Sequence, residues 1–320
     1  MVKKKAIIIG GSGQIGISLC YKLLKKNYKI IITSRNVKLA QKKIPFKNKN
    51  LKIVKLDILN KKKIKLFLKK EMPQIIFYFA GQSSPSKSFL KSKVTFESNF
   101  TGCKNFLKLI YEEKINCKFV NASTCEIFDK KLKKIGPNSK KKPISPYGNS
   151  KLKSHNLTKF YRNSKKLKAY NAIFFNTESI HRHKNYLIPK ICIAAINANR
   201  FNKISYFGNL DISREWNWGD EQTEYLIKFV NKKPQDFILS NGKSFSARQM
   251  LEFAFNHFKL DYKKYIKTHA KFLRKKDFLG KISNYQICLK RNKLNRKSKI
   301  YGKKIIELMI NHYEKQRKNF

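Results

Sequence analysis

The chain reads as an α/β protein, a doubly wound parallel sheet followed by a smaller C-terminal lobe. Three observations predict this. Short β-rich runs alternate with helical segments through the first half, a glycine-spaced turn follows the first run directly, and the alternation loosens after about residue 176. Strand, helix, strand repetition of this kind builds parallel sheets, because parallel neighbours need a long crossover rather than a tight turn.

Taken in order, the strand-like runs are "KAIIIGG", "YKIIITSR", "LKIVKLD", "QIIFYFAG", "CKFVNAST" and "AYNAIFFN". Their continuous apolar character suits strands covered on both faces. Between them, "GISLCYKLLKKN", "TFESNFTGCKNFLKLIYEEK" and "SPYGNSKLKSHNLTKFYRNSK" set apolar residues three and four apart, as half-buried helices do. The lysines ahead of Ala6 to Ile9 imitate a secretion signal, but glycines interrupt the apolar run at once, so this stretch is read as the first strand. A polar loop, "DKKLKKIGPNSKKKPISP", precedes the third of these helices. Further on, "YLIPKICIAAINANRF" reads as a helix, "FILSNGKSFSARQMLEFAFNHF" as strand, turn and helix, and the last residues as a basic tail, with no internal repeat.

Composition narrows the function. With 41% hydrophobic residues in 320, the chain can bury a sizeable core, and no stretch approaches the ~18 apolar residues of a membrane span. Six cysteines lie scattered without a C-x-x-C pair, which fits reduced thiols in the cytoplasm and gives no metal site. The formal charge of +54 invites a nucleic-acid reading. Lysine is spread through predicted strands, helices and loops alike, however, whereas binding tracts cluster, so no specific nucleic-acid partner is expected.

The motifs carry more. In "IIIGGSGQIG", Gly10, Gly13 and Gly16 follow a strand and open a helix, with Gln14 and Ile15 between the last two. Glycines there permit a tight turn and let backbone approach a pyrophosphate lying at the helix N-terminus, as in a Rossmann-type dinucleotide site. The second strand ends 22 residues beyond Gly13 in "TSRN", where Arg35 stands in the place of the acidic residue that binds NAD ribose; a guanidinium suits the 2′-phosphate of NADP. Asp57, with Ile58, is expected near the adenine, and "FAGQSS", supplying Phe79, Ala80, Gln82, Ser83 and Ser84, beneath the cofactor.

Tyr147 and Lys151 in "SPYGNSK" share one helical face at i and i+4. An ammonium beside a phenol favours phenolate and makes Tyr147 a usable base near neutral pH. Y-x-x-x-K also begins at Tyr21, Tyr161 and Tyr186, but only Tyr147 follows a Ser/Thr-ended strand by about twenty residues. That strand ends in Ser123 and Thr124, and two residues on comes Glu126. Hydride transfer with one phenolic acid/base has no need of this carboxylate. Elimination of water next to a ketone does, because a base must take the acidified α-proton. "HRH", His181 to His183, lacks neighbouring Cys or carboxylate ligands and is not expected to bind metal.

The combination resembles the extended short-chain dehydrogenase/reductase superfamily. More specifically, "STCEIF", "SPYGNSKL", "FFNTESIHR", "FGNLDISREW" and "PQDFILSNGKSFSARQMLEFAF" resemble, in order, the GDP-mannose 4,6-dehydratase family. The resemblance implies Thr124, Glu126 and Tyr147 as catalytic, with Lys151 as cofactor ligand and partner of Tyr147. It implies Arg35 and Arg182 on NADP, and Ser84, Asn176, Lys190 and Arg214 on the nucleotide-sugar substrate. It further implies a homodimer or homotetramer, an NADP-binding domain over 1–175, and a mainly substrate-binding lobe over 176–320, partly interleaved with the first. The sequence departs from the family at Val94, Phe128, Asp129, Thr177, Ile180, His181 and His183, and keeps only Phe272, Arg274 and Asp277 of a C-terminal signature. Two other readings stay open: a reductase or epimerase on a related nucleotide sugar, and a degenerate basic protein binding anions or nucleic acid.

Overall fold

The computed structural model of the protein describes residues 4–270, 280, 282–295 and 298–318. The chain divides into two compact units, one of residues 1–129, 137–174 and 222–239, the other of residues 130–136, 175–221 and 240–320. Phe272, Arg274 and Asp277 lie outside the described residues.

The first unit is built on strands β1 (Lys5–Ile9), β2 (Lys29–Ser34), β3 (Leu51–Lys55), β4 (Ile75–Tyr78), β5 (Lys118–Thr124), β6 (Lys168–Phe174) and β7 (Asp236–Leu239). They form one sheet in the order β3-β2-β1-β4-β5-β6-β7, every pair parallel. The order reverses direction at β1, and in such sheets ligands bind beyond the carboxyl ends of the strands at that point. Helices α1 (Gln14–Lys25), α2 (Lys61–Glu71), α3 (Gly102–Glu112) and α4 (Pro146–Asn163) lie in four of the crossovers.

Two features depart from the reading of the sequence. Helix α2, "KKKIKLFLKKE", is so rich in lysine that its stripe is three residues wide: Ile64, Phe67 and Leu68 are buried, at i, i+3 and i+4, in a core shared with Ile7, Ile76, Phe106 and Ile110. Asn60 caps it by accepting from the Lys63 amide at 3.0 Å. The stretch expected as one helix from Thr95 to Lys114 is instead a short helix, Ser92–Phe96, a π turn, Glu97–Thr101, and then α3. Single π turns inside helices recur at functional sites.

In the second unit, α5 (Leu187–Phe201), α6 (Ala247–Asn256) and α7 (Lys303–Lys318) enclose a core that includes Ile191, Ala195, Leu251, Phe255, Ile306 and Ile310. The residues read as a basic tail thus include a packed helix: Ile305, Ile306, Met309, Ile310 and Tyr313 of α7 are buried among polar neighbours. Ser246 and Gln249 form a reciprocal capping box on α6. Trp216 and Trp218 pack in the same core. None of the described helices is long and apolar enough to cross a membrane.

A short parallel pairing sets Thr177 and Glu178 against Asn217 and Trp218. It buries Glu178, whose Oε2 stands 3.6 Å from Arg182 Nε with neither atom hydrogen-bonded among the described residues. Burial pushes the Glu178 carboxyl up to about 7, the Arg182 charge opposing. The folded state therefore holds a proton that the unfolded chain releases near its ordinary value of 4.5, and stability falls as pH rises from about 4.5 through 7. Glu178→Gln should remove this slope. Urea unfolding at pH 5 and pH 8 checks it: the variant should match wild type at pH 5 and exceed it at pH 8, by at most about 3 kcal/mol.

Candidate active site

The turn after β1 is shaped for close backbone approach. Gly10 has φ +77°, and a Cβ on it would stand 2.7 Å from Ala80 Cα, so only glycine lets β1 and the end of β4 meet there. Helix α1 starts at Gly13 with no side-chain cap and no acidic residue in its first turn. Its first turn, which includes Gln14 and Ile15, brings the positive end of the helix dipole to this glycine turn, with Gly16 buried. Arg35 is exposed just past β2, between Ser34 and Asn36; Asn36 caps the next short helix by accepting from Leu39 N at 2.9 Å. The residues that end this strand and follow it, Ser34 to Val37, include no carboxylate.

Asp57 is exposed past β3 and accepts from Leu59 N at 3.0 Å, while the Ile58 carbonyl accepts from Asn105 Nδ2 at 3.0 Å. Past β4, Phe79 and Ala80 are half-buried and Ser83 is exposed. Gln82 folds its amide onto Ser84, donating to the Ser84 carbonyl at 2.8 Å and accepting from the Ser84 amide. Ser84 itself caps the helix Pro85–Leu90 through Lys87 N at 3.3 Å. The side chains of Gln82 and Ser84 therefore also shape this loop.

At the end of β5, Thr124 Oγ1 accepts from the Glu126 amide at 3.3 Å and starts the tight turn Cys125–Ile127. This leaves the Thr124 hydroxyl proton free to donate to another group. Helix α4 is launched by Ser145, which accepts from Gly148 N at 3.0 Å, with Pro146 in the first turn. A Cβ on Gly148 would stand 2.8 Å from the Glu126 carbonyl, so the start of α4 lies directly against the Glu126 turn. Tyr147 is buried and its amide donates to Ser88 Oγ at 3.1 Å. One helical turn on, Lys151 Nζ donates to the Ala122 carbonyl of β5 at 2.9 Å. Burial pulls the Lys151 ammonium down to about 8, with Cys103 acting in the opposite direction. Thr124, Glu126, Tyr147 and Lys151 are thus held together by β5 and α4.

Asn99 was not singled out from the sequence. It sits fully buried in the π turn, donates to the Gln82 carbonyl at 3.1 Å, and leaves Oδ1 without a hydrogen-bond partner among the described residues. A buried acceptor beside the β4 loop is a candidate contact for a bound molecule. In sequence the only hint was an asparagine within the apolar periodicity of a predicted helix.

The remaining candidates belong to the second unit. Asn176 accepts through its carbonyl from Asn217 N at 2.8 Å. Lys190 Nζ donates to the Tyr206 carbonyl at 2.6 Å and lies 4.5 Å from the Phe207 ring centre; burial lowers its pKa. Arg214 is buried and donates to the Ser213 carbonyl at 2.8 Å. The Arg182 guanidinium stacks 3.6 Å above the Tyr186 ring. Among the described residues, including His181 to His183, no three or more His, Cys, Asp or Glu could hold a metal ion.

A seven-stranded parallel sheet, a glycine turn at its first strand, and a Tyr and Lys on the helix packed against a Thr-ended fifth strand define an extended short-chain dehydrogenase/reductase. The family model for GDP-mannose 4,6 dehydratase matches residues 7–305, and the chain belongs to that family. It is 26% identical over 288 residues to GDP-mannose 4,6 dehydratase 1 of Arabidopsis thaliana, covering 85% of this chain and 80% of the relative. It is 30% identical over 273 residues to GDP-mannose 4,6 dehydratase of Drosophila melanogaster, covering 79% and 68%. The crystal structure of dTDP-glucose 4,6-dehydratase from Bacillus anthracis in complex with NAD superposes with a TM-score of 0.84, at 19% identity and 98% coverage of both chains, which shows the shared fold.

The buried lysine gives a direct check of the site. In protein carrying ¹³Cε-lysine, NMR should reveal an ε-carbon titrating near pH 8 whose signal vanishes in Lys151→Met.

Proposed function

We propose that the protein is an NADP-dependent dehydratase that converts GDP-mannose to GDP-4-dehydro-6-deoxy-mannose and water. The observation that carries the reading is Glu126, held in the turn after Thr124 and against the start of the Tyr147 helix. Membership of the dehydratase family, and relatives that bear this name, support it.

The first unit fits a dinucleotide: Gly10 permits the close turn, and α1, with no acidic residue in its first turn, brings its positive dipole end to the place where a pyrophosphate would lie. Gly13, Gln14, Ile15 and Gly16 would hold the phosphates, Asp57 and Ile58 the adenine side, Phe79 to Ser83 and Lys151 the remainder, and Arg35 a 2′-phosphate, with Arg182 a further contact. When bound, the nicotinamide supplies reversible hydride acceptance. Tyr147 removes the proton of the substrate C4 hydroxyl, and the Lys151 charge favours its phenolate. Thr124 donates its hydroxyl proton to the same oxygen. Glu126 takes the C5 proton, which a ketone at C4 has made acidic, as hydroxide departs from C6. The hydride removed from C4 would be returned at C6, and the two protons taken by Tyr147 and Glu126 go one to the departing hydroxide, giving water, and one back to C5. Ser84, Asn176, Lys190 and Arg214 are assigned to the nucleotide sugar, the cations suiting its diphosphate.

We place the enzyme in the cytoplasm, in keeping with six buried cysteines that form no disulfide. A homodimer or homotetramer is supported by the apolar surface of residues 85–96, where Leu90 is 88% and Phe89 61% exposed.

Purified protein given GDP-mannose and catalytic NADP should yield a product lighter by one water in mass spectrometry. Glu126→Gln should lower that rate about 10²- to 10⁴-fold; undiminished turnover without water loss would instead make the protein a reductase or epimerase. Arg35→Ser should weaken NADP binding about tenfold and leave NAD unchanged, as read by calorimetry; equal effects on both would remove the 2′-phosphate assignment.

A further inference from the structure

Inside the first unit, Ser123 Oγ lies 3.0 Å from His155 Nδ1, and His155 Nε2 lies 3.2 Å from Asp236 Oδ2. The sequence Ser, His, Asp is that of a hydrolase triad. Burial rules out that use: the three residues are 2%, 1% and 8% exposed, and a nucleophile must reach its substrate.

The same groups belong to a polar ring around one peptide; His155 Nε2 meets Asp236 at close contact without forming a hydrogen bond among the described residues, and the ring closes through the hydrogen bonds of Asn171. Asp236 Oδ1 also accepts from Arg162 of α4 at 2.8 Å and from Asn171 Nδ2 of β6 at 2.9 Å. Asn171 Nδ2 donates in addition to the His155 carbonyl at 3.0 Å, and its Oδ1 accepts from Asn121 Nδ2 at 2.9 Å. Asn121 and Ser123 project from the same face of β5, one on each side of Ala122. Ala122 is the residue whose carbonyl receives the Lys151 ammonium. Thr124 is the next residue after Ser123, and His155 stands one helical turn after Lys151 and two after Tyr147. Burial alone would raise Asp236, but the His155 and Arg162 partners outweigh it and hold the carboxyl well below its ordinary range, so the ring keeps its anion at neutral pH.

We propose that Ser123, His155 and Asp236 are positioning residues, a buried polar ring that sets the Ala122 carbonyl under Lys151 and fixes Thr124 at the end of β5. This deepens the dehydratase reading and rests on it for the catalytic effect. The physical reason lies in the number of ways β5 and α4 can pack. Apolar contacts alone let a helix slide or rotate on a sheet by fractions of an ångström at little cost, whereas a closed ring of directional bonds between β5, β6, β7 and α4 admits one register.

The test uses Ser123→Ala, which removes one hydroxyl from the ring and leaves the remaining partners in place. Its kcat on GDP-mannose should fall about tenfold, with KM changed less than about twofold. The Lys151 titration followed by ¹³Cε NMR should move below its wild-type midpoint, because the carbonyl that favours the charged amine is no longer held in place. Ser123→Thr, which returns a hydroxyl, should recover kcat, and adding His155→Phe to Ser123→Ala should cost no further kcat, since both break the same ring. If Ser123→Ala lowers Tm but leaves kcat and the Lys151 midpoint at wild-type values, the ring is structural only and the proposal is overturned. Wild-type protein inert toward GDP-mannose would sink the substrate assignment, while the Lys151 midpoint in Ser123→Ala would still decide the positioning role.

Discussion

The parallel register of β5 on β6, from Lys118 opposite Lys168 to Thr124 opposite Phe174, is the constraint on which the candidate site depends. Because side chains alternate along a strand, a slip of one residue would turn Ser123 away from His155, carry Thr124 to the other face, and take the Ala122 carbonyl from Lys151. The sheet fixes one side of the site and helix α4 the other. Their mutual position is set at three kinds of contact: the Gly148 approach to the Glu126 turn, the Lys151 bond to β5, and the buried ring behind them.

Charge is distributed in a way that follows from the same logic. Against 73 lysines and arginines stand only 19 acidic residues, so many cations are left to solvent and salt. Some of the acids sit where removal would strand buried partners. Asp236 satisfies Arg162 and Asn171, and Glu215 accepts from Ser240 and from both the amide and hydroxyl of Ser283. A surface can lose carboxylates at little cost because exposed ion pairs contribute little, whereas an unpaired buried donor costs far more. The high positive charge thus coexists with an interior whose polar groups are largely paired.

Six central strands were legible because each is a short, nearly continuous apolar run bounded by polar residues, as burial on both faces requires. The four residues around Thr124 and Tyr147 were legible because strand end, spacing and order are all linear features. Helix α2 was not, since lysine fills its exposed face so fully that the apolar stripe is thin in any window, and α7 was not, since the basic residues around its apolar stripe read as a tail. The π turn at Asn99 escaped because one extra residue in a helical turn leaves the amphipathic pattern almost unchanged.

The sequence by itself determined the α/β alternation, the glycine turn, and the Thr, Glu, Tyr and Lys that the candidate site is built from, because these depend on residue type at short separation. Only the tertiary structure decided that Asp236 lies in a seventh strand beside β6, that residues 130–136 belong with the second unit, and that Ser123, His155 and Asp236 meet. Their encounter joins residues 32 and more positions apart in the chain. No local pattern encodes such a pairing; it is selected by the exclusion of water, which leaves a buried donor no partner except the acceptor the fold brings to it.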